Sequence, residues 1–548
     1  MSQINPTRLN TMPWLPAIAM MALTLLLLPE RALAAAPGIT GPNFNLTAQT
    51  ANLNEPDGSS VYAWGYGCNG APSGFAPMAI TGPTCPSMQV PGPTLIVKEG
   101  QTVTVTLTNN LPPMAGNTSI LFPGFAVTAS APTNPAAGCT GLVQGLLTGE
   151  APNGCTVIYT FTATSPGTRS YYSGTQGDLQ VEMGLFGAII VLPANVPSVC
   201  TSGLPLLNPG ANGKAQTKWG ETDFRLADSA YDHDKTCYDR EYLFQFSEMD
   251  ANIHNQAYAQ VNDPTRIAAC QVGLTAPGCG LQVPTEPYHP SYFMINGRSM
   301  PDDMDPNYAV EYPHQPYNGD PHMHPGEMVL LRVIGQGRWQ HPFHEHANHV
   351  RILARDGNLI LSPNNPESLA GRLEFTTTTT PGQAFDGIFY FTGRGLNWDM
   401  YAHEAKPSSD PNANLTCTPD AEGYNTGAPN AINYFEWCQD HNKPLQVAPF
   451  GDVAAGGPAT LPDPDIFTNG NWYSGSPYLG PDATTRATGP TSTFLPSNTQ
   501  ANPANERGWA FMWHSHNERE ITTNNLFPGG MFMMMLVDSR EFVIDEQN

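Results

Sequence analysis

Between positions 93 and 111 the chain reads PTLIVKEGQTVTVTLTNNL. From Thr102 to Thr108 every second residue is a threonine, and Val103, Val105 and Leu107 stand between them. Only a strand, whose successive side chains point to opposite faces, turns that spacing into one apolar and one polar side. Gly100 separates it from the apolar run before it, so the stretch predicts two strands joined by a turn. GCTVIYTFTATSPGTRSYYSG and GLFGAIIVLP continue the pattern to about residue 193. A second block begins at DREYLFQFSEMD (239–250) and runs through YFMINGRSMPD, GEMVLLRVIGQG, HPFHEHANHVRILARDGNLI and LEFTTTTTPGQAFDGIFYFTG to RGWAFMWHSHNE and GGMFMMMLVD. Its order repeats the first block weakly, and each block closes on a glycine-led apolar strand, GLFGAIIVL at 184–192 and GGMFMMMLV at 529–537. The chain has 52 glycines and 54 prolines but only 13% charged residues, a turn-rich composition typical of all-β proteins. No amphipathic helix longer than three turns is evident. The expectation is an all-β protein of two β-sandwich domains, 37–197 and 238–540, joined by a linker at 198–237. Residues 404–505, rich in Pro, Gly, Asn, Asp and Ser, read as a long loop insertion in the second domain, stapled by Cys417 and Cys438.

Compartment follows from the N-terminus. WLPAIAMMALTLLLLP at 14–29 is apolar, has Arg8 upstream, and is followed by Ala32-Leu33-Ala34. This is the form of a secretory signal peptide, residues 1–34, and it is shorter than a membrane-spanning helix needs. An exported protein, periplasmic or extracellular, is expected, with no membrane span after cleavage. All ten cysteines follow the signal, and an even number in an exported chain implies disulfides. Their pairing stays open, although Cys270 and Cys279 can close across eight residues. The formal net charge of −24 argues against nucleic acid or an anionic membrane as partner.

Four of the chain's 14 histidines fall within WQHPFHEHANH: His341, His344, His346 and His349. In a strand His344 and His346 share a face and His341 takes the other. WHSH repeats the arrangement, with His514 and His516 on one face and Ser515 opposite. Two H-x-H strands from one sandwich can meet as four imidazoles, a donor set suited to copper, zinc, nickel or iron. His322 and His324, in DPHMHPGE, are a weaker pair at a loop. His349 could orient a ligand, His403 lies near the insertion, and Glu345 and Glu520 are carboxylates able to move protons or hold an outer water.

HPFHEH is similar to the H-P-x-H-x-H motif of the multicopper oxidases, and WHSHNERE…FPGGM resembles their closing H-C-H-x-x-x-H…G-M motif. The strand patterns at 93–111 and 239–298 also resemble that family's cupredoxin domains. The resemblance spans about residues 40–195 and 238–540. It implies two cupredoxin-like Greek-key sandwiches and copper as cofactor. His344, His346, His514 and His516 match cluster ligands, and His341 matches a histidine of the blue-copper site. The departures are as informative. The family's blue-copper cysteine falls on Ser515 and its second histidine on Glu520, and such a site needs a thiolate. Leu121, Pro123, Tyr172 and Gly174 stand where the first domain would supply four more ligands. Met531 follows the glycines as an axial ligand would, but its spacing from His516 is long, and packing in the Met-rich strand is the expected role.

The resulting expectation is an exported copper-binding protein, with copper ions as partner and no type 1 centre. If catalytic, it would pass electrons from a small-molecule or metal-ion reductant to dioxygen. The alternative is a non-catalytic copper binder or structural exported protein. The two-domain layout is also similar to trimeric nitrite reductases, which implies a possible homo-oligomer.

Overall fold

The computed structural model describes residues 36–78, 83–139, 141–201, 224–324, 326–391, 416–421, 423, 425–427, 438, 475–479, 507–538 and 544. The signal segment 1–34, His403 and most of the 404–505 segment lie outside them.

Strands dominate, and the alternation at 102–109 does what its spacing requires. Val103, Val105 and Leu107 are fully buried while the threonines stay at the surface. The strand Thr102–Asn109 pairs antiparallel with Thr156–Thr162 so that Val103 faces Phe161, Val105 faces Tyr159 and Leu107 faces Val157. Residues 38–192 form two five-stranded sheets packed around one apolar core. Parallel pairings between strands distant in sequence, such as Gly92–Lys98 with Phe186–Leu192, make this a crossed-over sandwich rather than a meander.

The second sandwich has one sheet ordered Tyr292–Ile295, Arg240–Met249, Met328–Gly335, Ala384–Tyr390, Val350–Arg355 and Asn358–Leu359. The facing sheet is ordered His322–Met323, Phe532–Asp538, Arg507–Ser515, His341–Glu345 and Thr376–Thr379. Phe244, Phe246, Phe343, Phe511, Trp513, Met531, Met533 and Met535 fill the space between them. Both halves are thus all-β sandwiches.

Two features were not legible in the sequence. The first is a helical pair, Ala251–Val261 and Pro264–Val272, whose N-termini are capped by Asp250 and Asp263 accepting from Asn252 N and Thr265 N. The second is a strand, Gly475–Leu479, in the segment read as loop; it pairs with Arg507–Phe511 of the second sheet.

All ten residues of Arg240–Met249 are buried, because both faces of this strand are covered. Tyr242, Phe244 and Phe246 face the core of the second sandwich, whereas Leu243 meets Ala188 and Ile190 of the first. Between the sandwiches Asp386 accepts from Thr168 Oγ1 at 2.6 Å, and Arg332 pairs with Glu241 at 2.8 Å and donates to Thr168 Oγ1 at 3.1 Å. Ser170 Oγ donates to Gln336 at 2.7 Å. All ten cysteines pair, as 68–85, 139–155, 200–237, 270–279 and 417–438. Among the described residues no helix is long and apolar enough to cross a membrane.

Candidate metal centre

The His341–Glu345 strand lies between Thr376–Thr379 and Arg507–Ser515, and its register places His344 directly opposite His514. Cross-strand partners carry their side chains on the same face with Cβ atoms about 5 Å apart. The pleat thus brings the two H-x-H pairs together on the outer face of the sheet. Ring centroids separate by 4.8 Å for His344 and His346, 5.5 Å for His344 and His514, 4.8 Å for His344 and His516, and 5.1 Å for His346 and His514. His344 and His514 each contact the other three rings, the His514–His516 separation being 5.7 Å. One nitrogen each from His344, His346 and His514 lie within 4.8 Å of one another. His516 is exposed at the rim.

The tautomers can be read from the partners. His514 Nδ1 is 2.7 Å from the Ser515 carbonyl oxygen, which only accepts, so Nδ1 carries the proton and Nε2 a lone pair. That Nε2 lies 3.2 Å from His346 Nε2. Two nitrogens bound tetrahedrally to one ion at about 2.0 Å would sit about 3.3 Å apart. His344 Nδ1 meets Thr376 Oγ1 at 2.7 Å, which orients its ring from outside. Burial, then the neighbouring His514 and His516, push the His344 pKa down to about 4. Burial likewise lowers His514. Both rings are neutral at pH 7, with lone pairs available to a metal. This donor set fits a borderline or soft transition ion such as copper.

The inner face of the same strand is a different environment. His341 is buried, and its Nε2 and Nδ1 lie 2.9 Å from Glu248 Oε2 and Glu520 Oε2 on opposite sides of the ring. Burial alone would lower its pKa, but the hydrogen bonds and negative charges of Glu248 and Glu520 prevail and raise it to about 9. His341 is therefore an imidazolium held between two carboxylates. Glu520 accepts from Ser515 Oγ at 2.5 Å and from Asn517 Nδ2 at 2.9 Å. Strand parity put His341 on the face of Ser515, and Glu520, linked to them in the sequence through the resemblance alone, meets both there. Glu248 was missed, although a charged residue in phase with Tyr242, Phe244 and Phe246 was its signal. Glu345 is also on this side, fully buried opposite Trp513, and burial raises its pKa well above the usual carboxylate range. Neither carboxylate is placed to serve the imidazoles: Glu345 faces inward, and Glu520 holds His341.

The remaining sequence candidates lie apart. Ala347 adopts φ 85°, which breaks the strand after His346 and ends the alternation. His349 then packs on Phe375 at 5.1 Å, and the opposite side of that ring neighbourhood belongs to His344 at 5.9 Å. His322 pairs in register with Leu536, beside Asp320 at 3.4 Å, and His324 is buried near Glu327. Met531 is fully buried in the core, in keeping with a packing role. In the first sandwich Leu121 bridges Tyr172 through the backbone, and a Cβ on Gly174 would meet Leu121 Cγ at 2.8 Å. Leu121 thus fills the space beside Gly174, and Leu121, Tyr172 and Gly174 line a cavity of about 280 Å³ with Gln336, Pro381 and Gly382.

A family model described as multicopper oxidase matches residues 86–196. Over these residues of the first sandwich the chain is similar to that family. Among solved structures the chain is similar to a multicopper oxidase named mgLAC, at 14% identity over 90% of this chain and 85% of that one, with a TM-score of 0.41. It is similar to a blue copper oxidase from Nitrosomonas europaea, at 15% identity over 90% and 85%, TM-score 0.42. A copper nitrite reductase from the same organism aligns at 19% identity over 64% of this chain and 84% of that one, TM-score 0.34. These superpositions are loose, and the match to the family model is confined to the first sandwich. Curated proteins give no match. The matched residues lie in the first sandwich, whereas the imidazole cluster lies in the second.

Proposed function

We propose that the chain is an exported copper-binding protein of the multicopper oxidase type, built from domains 37–197 and 238–540. It holds copper on His344, His346, His514 and His516 and has no type 1 centre. The observation that carries this reading is the register of the two H-x-H strands, which gathers neutral imidazoles on one face. Copper bound there would supply one-electron redox chemistry. The protein's own part is to hold the imidazole lone pairs ready through Thr376 and the Ser515 carbonyl. On this reading a small reductant, organic or a metal ion, gives electrons to dioxygen at an imidazole centre. The His341 position takes no part, since its ring nitrogens already face Glu248 and Glu520.

A second reading, a copper binder without turnover, is favoured by the leucine packing at Leu121 and Gly174. Metal analysis and electron paramagnetic resonance of the copper-loaded protein test the first claim, and oxygen uptake with phenols, Cu(I) and Mn(II) separates the two readings. Bound Cu(II) with imidazole coupling and measurable oxygen uptake is the expected result. Bound copper without uptake selects the second reading. No copper after reconstitution overturns both, and the intense visible band of thiolate-bound Cu(II) would contradict the missing type 1 centre.

A further inference from the structure

The register that assembles the imidazoles also sets methionines beside them. His344 lies opposite His514, which lies opposite Phe532 on the next strand. One pleat further, the backbone N–H of His346 donates to the carbonyl of Met512, and Met512 lies opposite Met534. Three adjacent strands therefore present two parallel rows on the same outer face: His344, His514, Phe532, and then His346, Met512, Met534. Rows two residues apart are about 7 Å distant, and partners within a row are about 5 Å apart.

Core packing explains Met531, Met533 and Met535, which are fully buried on the inner face. It does not explain Met512 and Met534, which sit on the other face and are partly open to solvent. Met304 is set apart from them: its Sδ accepts from the Met534 backbone N–H at 3.4 Å, and its side chain packs against the inner core. Thioethers are neutral, soft and weakly hydrated, and they sit on flexible chains that converge on an ion at little cost. Such donors select Cu(I) over Zn(II), Mg(II) or Ca(II).

We propose that Met512 and Met534 form a docking site for a soft monovalent ion, Cu(I), one pleat from the imidazole centre. The ion is handed along the row to His346, Met512 being its cross-strand neighbour. No redox change is needed for the transfer. The handover rests on the imidazole centre proposed above; the thioether site itself does not.

The test uses Ag(I), a redox-inert stand-in for Cu(I), on the full chain with the imidazoles first loaded with Zn(II). Methionine methyl groups labelled with carbon-13 report where it binds. Expected are selective shifts of the Met512 and Met534 signals and a fall in Ag(I) affinity of at least tenfold in the Met512→Leu, Met534→Leu double variant. Leucine conserves volume, and an unchanged Cu(II) resonance spectrum in the variant confirms that the imidazole face is intact. Unshifted Met512 and Met534 signals, or equal Ag(I) affinity in wild type and variant, overturn the proposal. Failure of Zn(II) and Cu(II) to bind while those methyl signals still shift would instead overturn the imidazole centre and leave the thioether site standing.

Discussion

The two faces of the His341–Glu345 strand carry the same residue type in opposite states. Outside, His344 is pushed down to about pKa 4 by burial and by other histidines. Inside, three residues away, His341 is pushed up to about 9 by two carboxylates that outweigh its burial. One face offers lone pairs and the other a fixed cation. The neighbours on each side of the sheet, rather than the imidazole, decide which histidines can hold a metal. At the inner position Glu248 and Glu520 hold an imidazolium by ion pairs on both sides of its ring.

The largest expected effect breaks the outer face alone. His344→Ala with His514→Ala should lower Cu(II) affinity by at least about 100-fold, beyond the loss typical of an outer partner. His341→Gln should leave the copper content unchanged. Copper loss in His341→Gln, measured by metal analysis, would erase the distinction between the faces.

Next comes Glu248→Ala, which strips one carboxylate from a buried pair. It should cost about 3–5 kcal/mol in denaturant unfolding, because His341 keeps its charge with half its compensation. The Arg338 and Trp339 backbone N–H groups also lose their acceptor there.

The third effect is pH-dependent. The folded pKa of His341 lies above the unfolded value of about 6.5, so its stabilisation is complete below that pH and disappears as pH rises through about 9. The difference in unfolding free energy between wild type and His341→Gln should shrink by on the order of 3 kcal/mol across that window. A difference that grows with pH would mean that His341 is neutral.

The smallest expected effect is Glu345→Gln. The buried carboxyl already favours its protonated form, so an amide of the same shape should change stability by less than about 1 kcal/mol. A large loss would show a charged Glu345 and a wetter core than the packing around Trp513 implies.

Much of this comparison could be read from the sequence, because strand parity is a local property. The alternation at 102–109, the pairing of His344 with His346, and the opposite placement of His341 and Ser515 all follow from a period of two. What could not be read depends on register between distant strands. Glu248 reaches His341 across 93 positions, and Met512 meets His346 across 166, neither of which any local pattern encodes. The helices at 251–272 escaped because they are short and only weakly amphipathic. The strand at 475–479 escaped because Gly, Ser and Pro make up three of its five residues, and its pairing partner rather than its own propensity makes it a strand.

The Cys200–Cys237 bond has a topological consequence. It is the one disulfide among the five that spans the junction between the sandwiches, since the other four close loops within one side or the other. A protease that cuts once between the two cysteines therefore makes two polypeptides without making two molecules. Both fragments should migrate together on a denaturing gel until a reductant is added, and a nicked protein keeps its halves at high effective concentration, ready to re-dock.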